Sequence, residues 1–253
     1  MGMKLIGMPP PSSGGAAMFM VSFIYKWNQI DDHGTSHVSI IDGERNAVAM
    51  TSTVNYYFGA RILSPSTGIV LNNEMDDFSM PSNNGTGGGN ADVPPPAPTN
   101  FVRPGKRPLS SMAPTIVLED GKLRAVMGAS GGAMIIAATT EVFLNYFGKG
   151  MDPLSSVLAP RLYHQLIPNK VSYENWTTVY RDHFEVPAET RAFLERRGHV
   201  LQGLAGGTIS QLVVQEFQGD HRSSLKNNNG TTAAFGRLVG VSDPRKGGFP
   251  AGF

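Results

Sequence analysis

Asp32-His33-Gly34-Thr35-Ser36-His37-Val38-Ser39-Ile40-Ile41 runs from polar residues through a glycine into an alternating apolar stretch, and Ala47-Val48-Ala49-Met50-Thr51-Ser52-Thr53-Val54 repeats that texture after Asp42-Gly43-Glu44-Arg45-Asn46. Two partly alternating runs joined through an Asp-Gly turn predict a β-hairpin over residues 36–41 and 47–54. Thr35 then opens a strand directly after Gly34. A cut between them would make Thr35 the first residue of a new chain, its hydroxyl beside a free α-amino group. That amine, with a reference pKa of about 7.7–8, suits base work near neutrality and can activate a weak threonine nucleophile. Taken alone, Gly-Thr-Ser is also what an ordinary strand start after a turn looks like, so the neighbouring residues must decide.

Downstream, residues 82–108 are rich in Gly, Asn and Pro, including Gly87-Gly88-Gly89 and Pro94-Pro95-Pro96, and predict a long surface loop or lid. Residues 115–118 and 122–127 flank Glu119-Asp120-Gly121 and predict a second hairpin. A stretch from about Gly132 to Tyr146, apolar nearly all round, predicts a buried helix. Asp152-Pro153 reads as a cap followed by a first-turn proline, predicting a short helix over 154–158, and 187–197 predicts another. Residues 208–217 and 233–241 read as strands, the latter closing the fold before a polar tail, Ser242 to Gly248.

Composition narrows the chemistry. The chain has 253 residues, 40% hydrophobic, enough for one sizeable core. Twenty-one basic residues against twenty acidic, with no basic stripe, argue against nucleic acid as a partner. The chain has no cysteine, which excludes disulfides and thiol chemistry, and its six histidines show no metal-ligand spacing, so no metal or cofactor is expected. Sequons occur at Asn84, Asn175 and Asn229. The N-terminus, broken by Pro9-Pro10-Pro11, shows no signal peptide, and the apolar run 16–24 is too short to span a bilayer.

Five blocks now line up behind Thr35: Asp32-His33-Gly34-Thr35-Ser36-His37, Thr51-Ser52-Thr53-Val54-Asn55, Leu71-Asn72-Asn73-Glu74-Met75-Asp76-Asp77-Phe78-Ser79, Lys106-Arg107-Pro108-Leu109-Ser110-Ser111-Met112, and Gly128-Ala129-Ser130-Gly131-Gly132. In this order they resemble the small subunit of γ-glutamyltransferases, also called glutathione hydrolases, most closely the plant members. The resemblance covers Lys26 to the C-terminus, with a further short match at Gly7 to Gly15.

The resemblance implies an α/β (α+β) N-terminal-nucleophile hydrolase fold, an αββα sandwich. It implies that the proenzyme cuts itself at Gly34-Thr35, and that Thr35 then attacks the γ-glutamyl amide of glutathione or its conjugates. The acyl group passes to water or to an acceptor amino acid or dipeptide. Thr53 matches the second threonine near the new amine; alone it would read as an ordinary β-branched strand residue. Asn55, Glu74 and Asp77 match the residues that accept the substrate's α-ammonium, although Glu74, Asp76 and Asp77 alone would read as a solvated acidic turn. Ser110 and Ser111 match the pair that donates to the α-carboxylate, and alone suit a turn after Pro108. Gly131 and Gly132 match the oxyanion hole, where two adjacent N–H groups meet the developing charge; a tight-packing glycine pair is the plainer alternative. Tyr57 matches a tyrosine near the reaction centre in some members, or is an aromatic core position.

Residues 1–34 resemble a remnant of the C-terminal region of the family's large subunit, and 35–253 the catalytic small subunit. Most of the large subunit, including an arginine that pairs with the substrate α-carboxylate, has no counterpart here. Two readings stand: a glutathione hydrolase or γ-glutamyltransferase, or a truncated, inactive relative that binds γ-glutamyl compounds or a partner subunit. By resemblance to plant members the compartment would be the apoplast, the plasma-membrane surface or the vacuole.

Overall fold

The computed structural model describes residues 2–15, 34–81, 95–217 and 236–252. Its centre is a five-stranded, wholly antiparallel sheet in the order β1 (Met3–Gly7), β4 (Thr115–Glu119), β5 (Lys122–Ser130), β10 (Ile209–Glu216) and β11 (Arg237–Ser242). The predicted Asp-Gly hairpin joins β4 to β5, with positive φ at Asp120 (51°) and Gly121 (74°), the geometry a tight antiparallel connection needs. A register shift at Val117/Leu118 marks a β-bulge in the same pair.

Along β5, every residue from Leu123 to Ser130 is buried, so both faces of this strand are covered. On one face lie helices α1 (Ile135–Phe143) and α2 (Pro153–Leu158), with Val117, Ala125, Met127, Val142, Tyr146, Phe147, Val157, Leu212 and Val214 forming the core. The predicted helix over 132–146 is a composite: a 3-10 turn Gly132–Met134, then α1, then a π-type turn Leu144–Gly148. It does not begin as an α-helix, because Gly131 and Gly132 have φ of 129° and 60°. Asp152 caps α2 as predicted, accepting from Ser155 N at 2.9 Å with Pro153 in the first turn.

The other face carries the hairpin β2 (Thr35–Ile41) and β3 (Ala47–Thr53), which lies on β5 and β10. Its connection differs from the expected Asp-Gly turn. Positive φ falls on Arg45 (71°), not on Gly43, and Asp42 closes the loop by accepting from Asn46 N at 2.8 Å. The hairpin also inverts the usual polarity. Its inner face carries Thr35, His37, Ser39, Thr51 and Thr53, whereas Val38, Ile40, Val48 and Met50 alternate onto an exposed face.

A second, smaller sheet joins β6 (Leu162–Tyr163), β7 (Val171–Thr177) and β8 (His183–Glu185), with β9 (Leu201–Leu204) parallel to β7. Helix α3 (Ala188–Glu195) falls within the predicted 187–197. The strand β1 and this small sheet were not foreseen.

Two expectations need correction. The supposed polar tail 242–248 is not a tail, because Asp243 and Arg245 are buried and end the fold in a 3-10 turn, Pro244–Lys246. The loop 82–108 is not wholly superficial, because Ala97 and Asn100 are buried, while residues 82–94 lie outside the described set. Asn175 is exposed on β7; Asn84 and Asn229 lie outside the described residues.

Candidate active site

Thr35 is the first residue of β2 and is buried, directly opposite Thr53 at the end of β3. Antiparallel register makes this pair: β2 and β3 match residue for residue from Ile41–Ala47 up to Thr35–Thr53, so the two hydroxyls share one face. Thr35 Oγ1 donates to Thr53 Oγ1 at 3.0 Å, and Thr53 Oγ1 also accepts from Asn55 N at 2.8 Å. Gly34 N donates to Asn55 O, and the Gly34 carbonyl accepts from Val54 N at 3.4 Å. A side chain at residue 34 has no room, since a Cβ there would lie 2.6 Å from Tyr56 O and 2.7 Å from Asn55 O. His33 and Asp32 lie outside the described residues.

Asn55 is fully buried with φ of 72°, a conformation asparagine tolerates better than most residues. Its Nδ2 donates to Asn73 O at 3.1 Å, while its Oδ1 is buried without a hydrogen-bond partner among the described residues. Asn73 returns the contact, its Oδ1 accepting from Tyr56 N at 3.0 Å, and so ties the short 3-10 helix Glu74–Asp77 to the end of β3. Glu74 and Asp77 are half-buried there, whereas Met75 and Asp76 are exposed.

Asn100, which sequence reasoning passed over, carries the chain of contacts onward. Its Nδ2 donates to Asp77 O at 2.7 Å, and its Oδ1 accepts from Leu109 N at 2.8 Å, beside the Ser110-Ser111 pair. The N-terminal segment fixes these serines from the other side: Ser13 N and Oγ donate to Ser110 O at 2.8 and 3.1 Å, and Ser12 Oγ donates to Met112 O. Ser110 and Ser111 are half-buried. Tyr57 is 69% exposed, which removes the aromatic-core alternative for it.

Gly131 and Gly132 follow β5, the strand on which the hairpin lies. The C-terminal turn connects them to Thr35. Lys246 Nζ donates to Thr35 O at 3.3 Å and to Ser36 Oγ at 3.2 Å, while three residues earlier Asp243 accepts from Arg161 Nη2 at 2.8 Å. Arg161 in turn donates to Thr208, which packs against Gly131. Behind this turn lies a buried ion network in which Arg245 pairs with Glu174 at 2.7 Å and with Asp243 at 3.1 Å. Burial pushes the His37 imidazole down to about 4, so it is neutral at physiological pH between Thr51 Oγ1 (2.7 Å) and Ser39 Oγ (3.1 Å).

Among the described residues no group of histidine, aspartate and glutamate side chains is arranged to hold a metal ion, and no helix is long and apolar enough to cross a membrane. The parts suit acyl chemistry: a hydroxyl held against a second hydroxyl, a buried amide oxygen, a hydrogen-bonded path from Asn55 through Asn73 and Asn100 to the segment with Ser110 and Ser111, and a glycine pair at positive φ.

Known proteins resemble this chain in sequence and fold. The chain is 67% identical over 228 residues to glutathione hydrolase 2 of Arabidopsis thaliana, covering 90% of this chain and 37% of that protein. It is 74% identical over 150 residues to an Arabidopsis thaliana protein whose name contains the words inactive glutathione hydrolase 4, covering 59% of this chain and 77% of that one. The chain thus spans little more than a third of the length of the first of these. A crystal structure of a mutant of Helicobacter pylori γ-glutamyltranspeptidase superposes with a TM-score of 0.67 at 29% identity, covering 83% of this chain and 99% of that one. That of the Pseudomonas nitroreducens enzyme complexed with L-DON gives 0.65 at 30%, covering 86% and 98%. These neighbours share the N-terminal-nucleophile hydrolase fold and account for the antiparallel stacked sheets. With the family profile described as gamma-glutamyltranspeptidase matching residues 22–253, which includes every residue of the hydroxyl pair, the two carboxylates, the serines and the glycine loop, the chain belongs to the γ-glutamyltranspeptidase family.

Proposed function

We propose that the chain is the catalytic portion of a glutathione hydrolase with γ-glutamyltransferase capacity, and that Thr35 is its nucleophile. One observation carries this reading: a buried threonine that directly follows a sterically required glycine and donates its hydroxyl proton toward Thr53. In self-cleavage, Thr35 Oγ attacks the Gly34 carbonyl carbon, the peptide shifts to an ester, and water releases a Gly34 carboxylate and a free Thr35 amine. That division gives a part before residue 35 and a catalytic part after it.

In turnover, the Thr35 amine takes the hydroxyl proton and Oγ attacks the γ-carbonyl carbon of the donor. The Gly131 and Gly132 N–H groups meet the oxyanion, the ammonium returns its proton to the leaving amine as the amide bond breaks, and a γ-glutamyl ester remains. Water, or the amine of an acceptor amino acid or dipeptide, then takes the acyl group. The donor's α-ammonium requires acceptors, and Asn55 Oδ1, Glu74 and Asp77 supply them; its α-carboxylate requires donors, and Ser110 and Ser111 supply them. The substrates are glutathione, its conjugates and other γ-glutamyl compounds, with a large subunit as partner.

A second reading, an inactive relative that binds γ-glutamyl compounds or a partner subunit, is favoured by the exposed Val38, Ile40, Val48 and Met50 on the hairpin and by the similarity to a relative named as inactive. Expression of the 253-residue chain separates the two. The enzymatic reading expects two fragments meeting between Gly34 and Thr35 and release of the chromophore from a γ-glutamyl anilide; an intact chain that releases none would overturn it.

A further inference from the structure

Two adjacent glycines make a poor oxyanion hole unless something outside them fixes their backbone, because glycine visits several φ/ψ wells at little cost. Gly131 sits at φ 129°, a value side chains rarely adopt, and Gly207, whose carbonyl oxygen lies beside it, at 140°. The ladder between β5 and β10 ends at Ser130–Ile209, so these residues lie just beyond the last regular pair and receive no help from it.

We propose that Thr208 is the positioning residue that holds the Gly131–Gly132 loop, an inference that rests on the oxyanion role proposed above. Thr208 is completely buried. A Cβ on Gly131 would lie 2.8 Å from Thr208 Cγ2, 2.9 Å from its Cα and 3.0 Å from Gly207 O, so the threonine methyl, with the backbone beside it, forms the wall next to Gly131.

The wall itself is locked. Arg161 Nη1 donates to Thr208 O at 2.6 Å and to Oγ1 at 3.2 Å, and the Tyr163 hydroxyl pairs with Oγ1 at 2.8 Å. Burial pushes Tyr163 up to about 12, which keeps its hydroxyl protonated across the working range. Arg161 is anchored in turn by Val157 O and Asp243 Oδ2, each at 2.8 Å. A β-branched side chain has few χ1 wells, and two partners on Oγ1 select the one that aims the methyl at Gly131.

The proposal divides the threonine into two jobs, an anchored hydroxyl and a wall methyl, and substitutions separate them. Thr208→Ser keeps the hydroxyl and takes the methyl out of the wall. It is expected to lower kcat on a γ-glutamyl anilide on the order of tenfold with KM within about twofold, the signature of misplaced transition-state donors. Thr208→Val keeps the methyl and loses the anchor on Oγ1, so its kcat is expected to fall between those of wild type and Thr208→Ser; a kcat below that of Thr208→Ser would count against the wall methyl. Equal kcat in wild type and Thr208→Ser, or a loss confined to KM, would overturn the proposal.

Hydrogen exchange on the full chain reads the same loop without turnover. Amides of residues 128–135 are expected to exchange several-fold faster in Thr208→Ser while those of α3 are unchanged. Unchanged exchange in 128–135 refutes the brace even if the chain proves inactive; faster exchange in a chain without turnover would leave the brace standing and remove the oxyanion function.

Discussion

The imidazole of His37 lies directly over Gly128: a Cβ at residue 128 would come within 2.5 Å of Nδ1 and 2.6 Å of Nε2. One bare Cα in the middle of β5 therefore lets the hairpin that carries Thr35 and Thr53 settle on the central sheet. Gly128→Ala must lift the hairpin or displace the ring, and overpacking of this kind costs about 1–3 kcal/mol. A lower urea midpoint with an unchanged m-value is expected; an unaltered midpoint would show that the ring moves aside freely.

Gly34 has a similarly strict environment, with the carbonyls of Asn55 and Tyr56 where a side chain would go. Gly34→Ala is expected to slow self-cleavage, and Thr35→Ala to abolish both cleavage and turnover. Thr53→Val, which removes the hydroxyl that meets Thr35 and accepts from Asn55 N, should lower kcat by about 10²-fold, on the scale of general acid–base contributions. Gel electrophoresis of fresh and aged protein follows the cut; full turnover in Thr35→Ala would place the nucleophile elsewhere.

Asn55 Oδ1 is buried without a hydrogen-bond partner among the described residues, and the proposed donor site gives it the substrate's α-ammonium. Its loss in Asn55→Ala removes one hydrogen bond to an ammonium, worth about 1.5–3 kcal/mol, or a weakening of donor binding by about 10- to 100-fold. The effect should vanish for an amide substrate that lacks the α-amino group. An equal loss for both substrates would mean that Asn55 serves only the fold.

Two buried groups give stability opposite pH dependences. Burial lowers His37 to about 4 from 6.5, so the unfolded chain takes up this proton first, and the stability it contributes is complete above pH 6.5 and lost as pH falls toward 4. Burial raises Glu141 to about 7 from 4.5, so its contribution is complete below pH 4.5 and lost as pH rises through 7. Glu141→Gln keeps an acceptor for Leu162 N and removes the second dependence. The stability of wild type relative to Glu141→Gln should therefore decline between pH 4.5 and 7.5 in urea titrations; a constant difference would contradict the raised carboxyl.

Arg245 forms a buried ion pair with Glu174 and shares Asp243 with Arg161. Arg245→Met strands buried carboxylate charge, a change that typically costs about 3–5 kcal/mol. A thermal unfolding midpoint within a degree or two of wild type would show that solvent reaches the network.

The hairpin bearing Thr35, the β4–β5 turn and the capped helix α2 were legible because each rests on local chemistry: alternation, Asp-Gly, Asp-Pro. What escaped reading rests on long-range pairing of charges. β7 reads as polar because Glu174 is in it, yet Glu174 is fully buried against Arg245, 71 residues away in sequence. Asp243 and Arg245 looked like solvated tail for the same reason. In the site, Thr35, Thr53, Asn55, Glu74, Asp77, Ser110, Ser111, Gly131 and Gly132 were named through motif resemblance, but Asn100 and Thr208, which tie the blocks together, carry no motif. Nor could alternation alone reveal that the hairpin turns its polar face inward.

Thr35 and Thr53 are 18 positions apart, and every ladder rung between them belongs to the same hairpin. Bringing these hydroxyls together thus asks for the closure of one short loop, an event on the microsecond scale, while the surroundings of the Gly131–Gly132 loop wait for contacts among residues 161, 208 and 243. The two halves of the centre should mature on different clocks. A chain emerging from synthesis would hold its hydroxyl pair ready well before it holds the Gly131–Gly132 loop, so the order of folding itself would delay any chemistry at Thr35 that needs both.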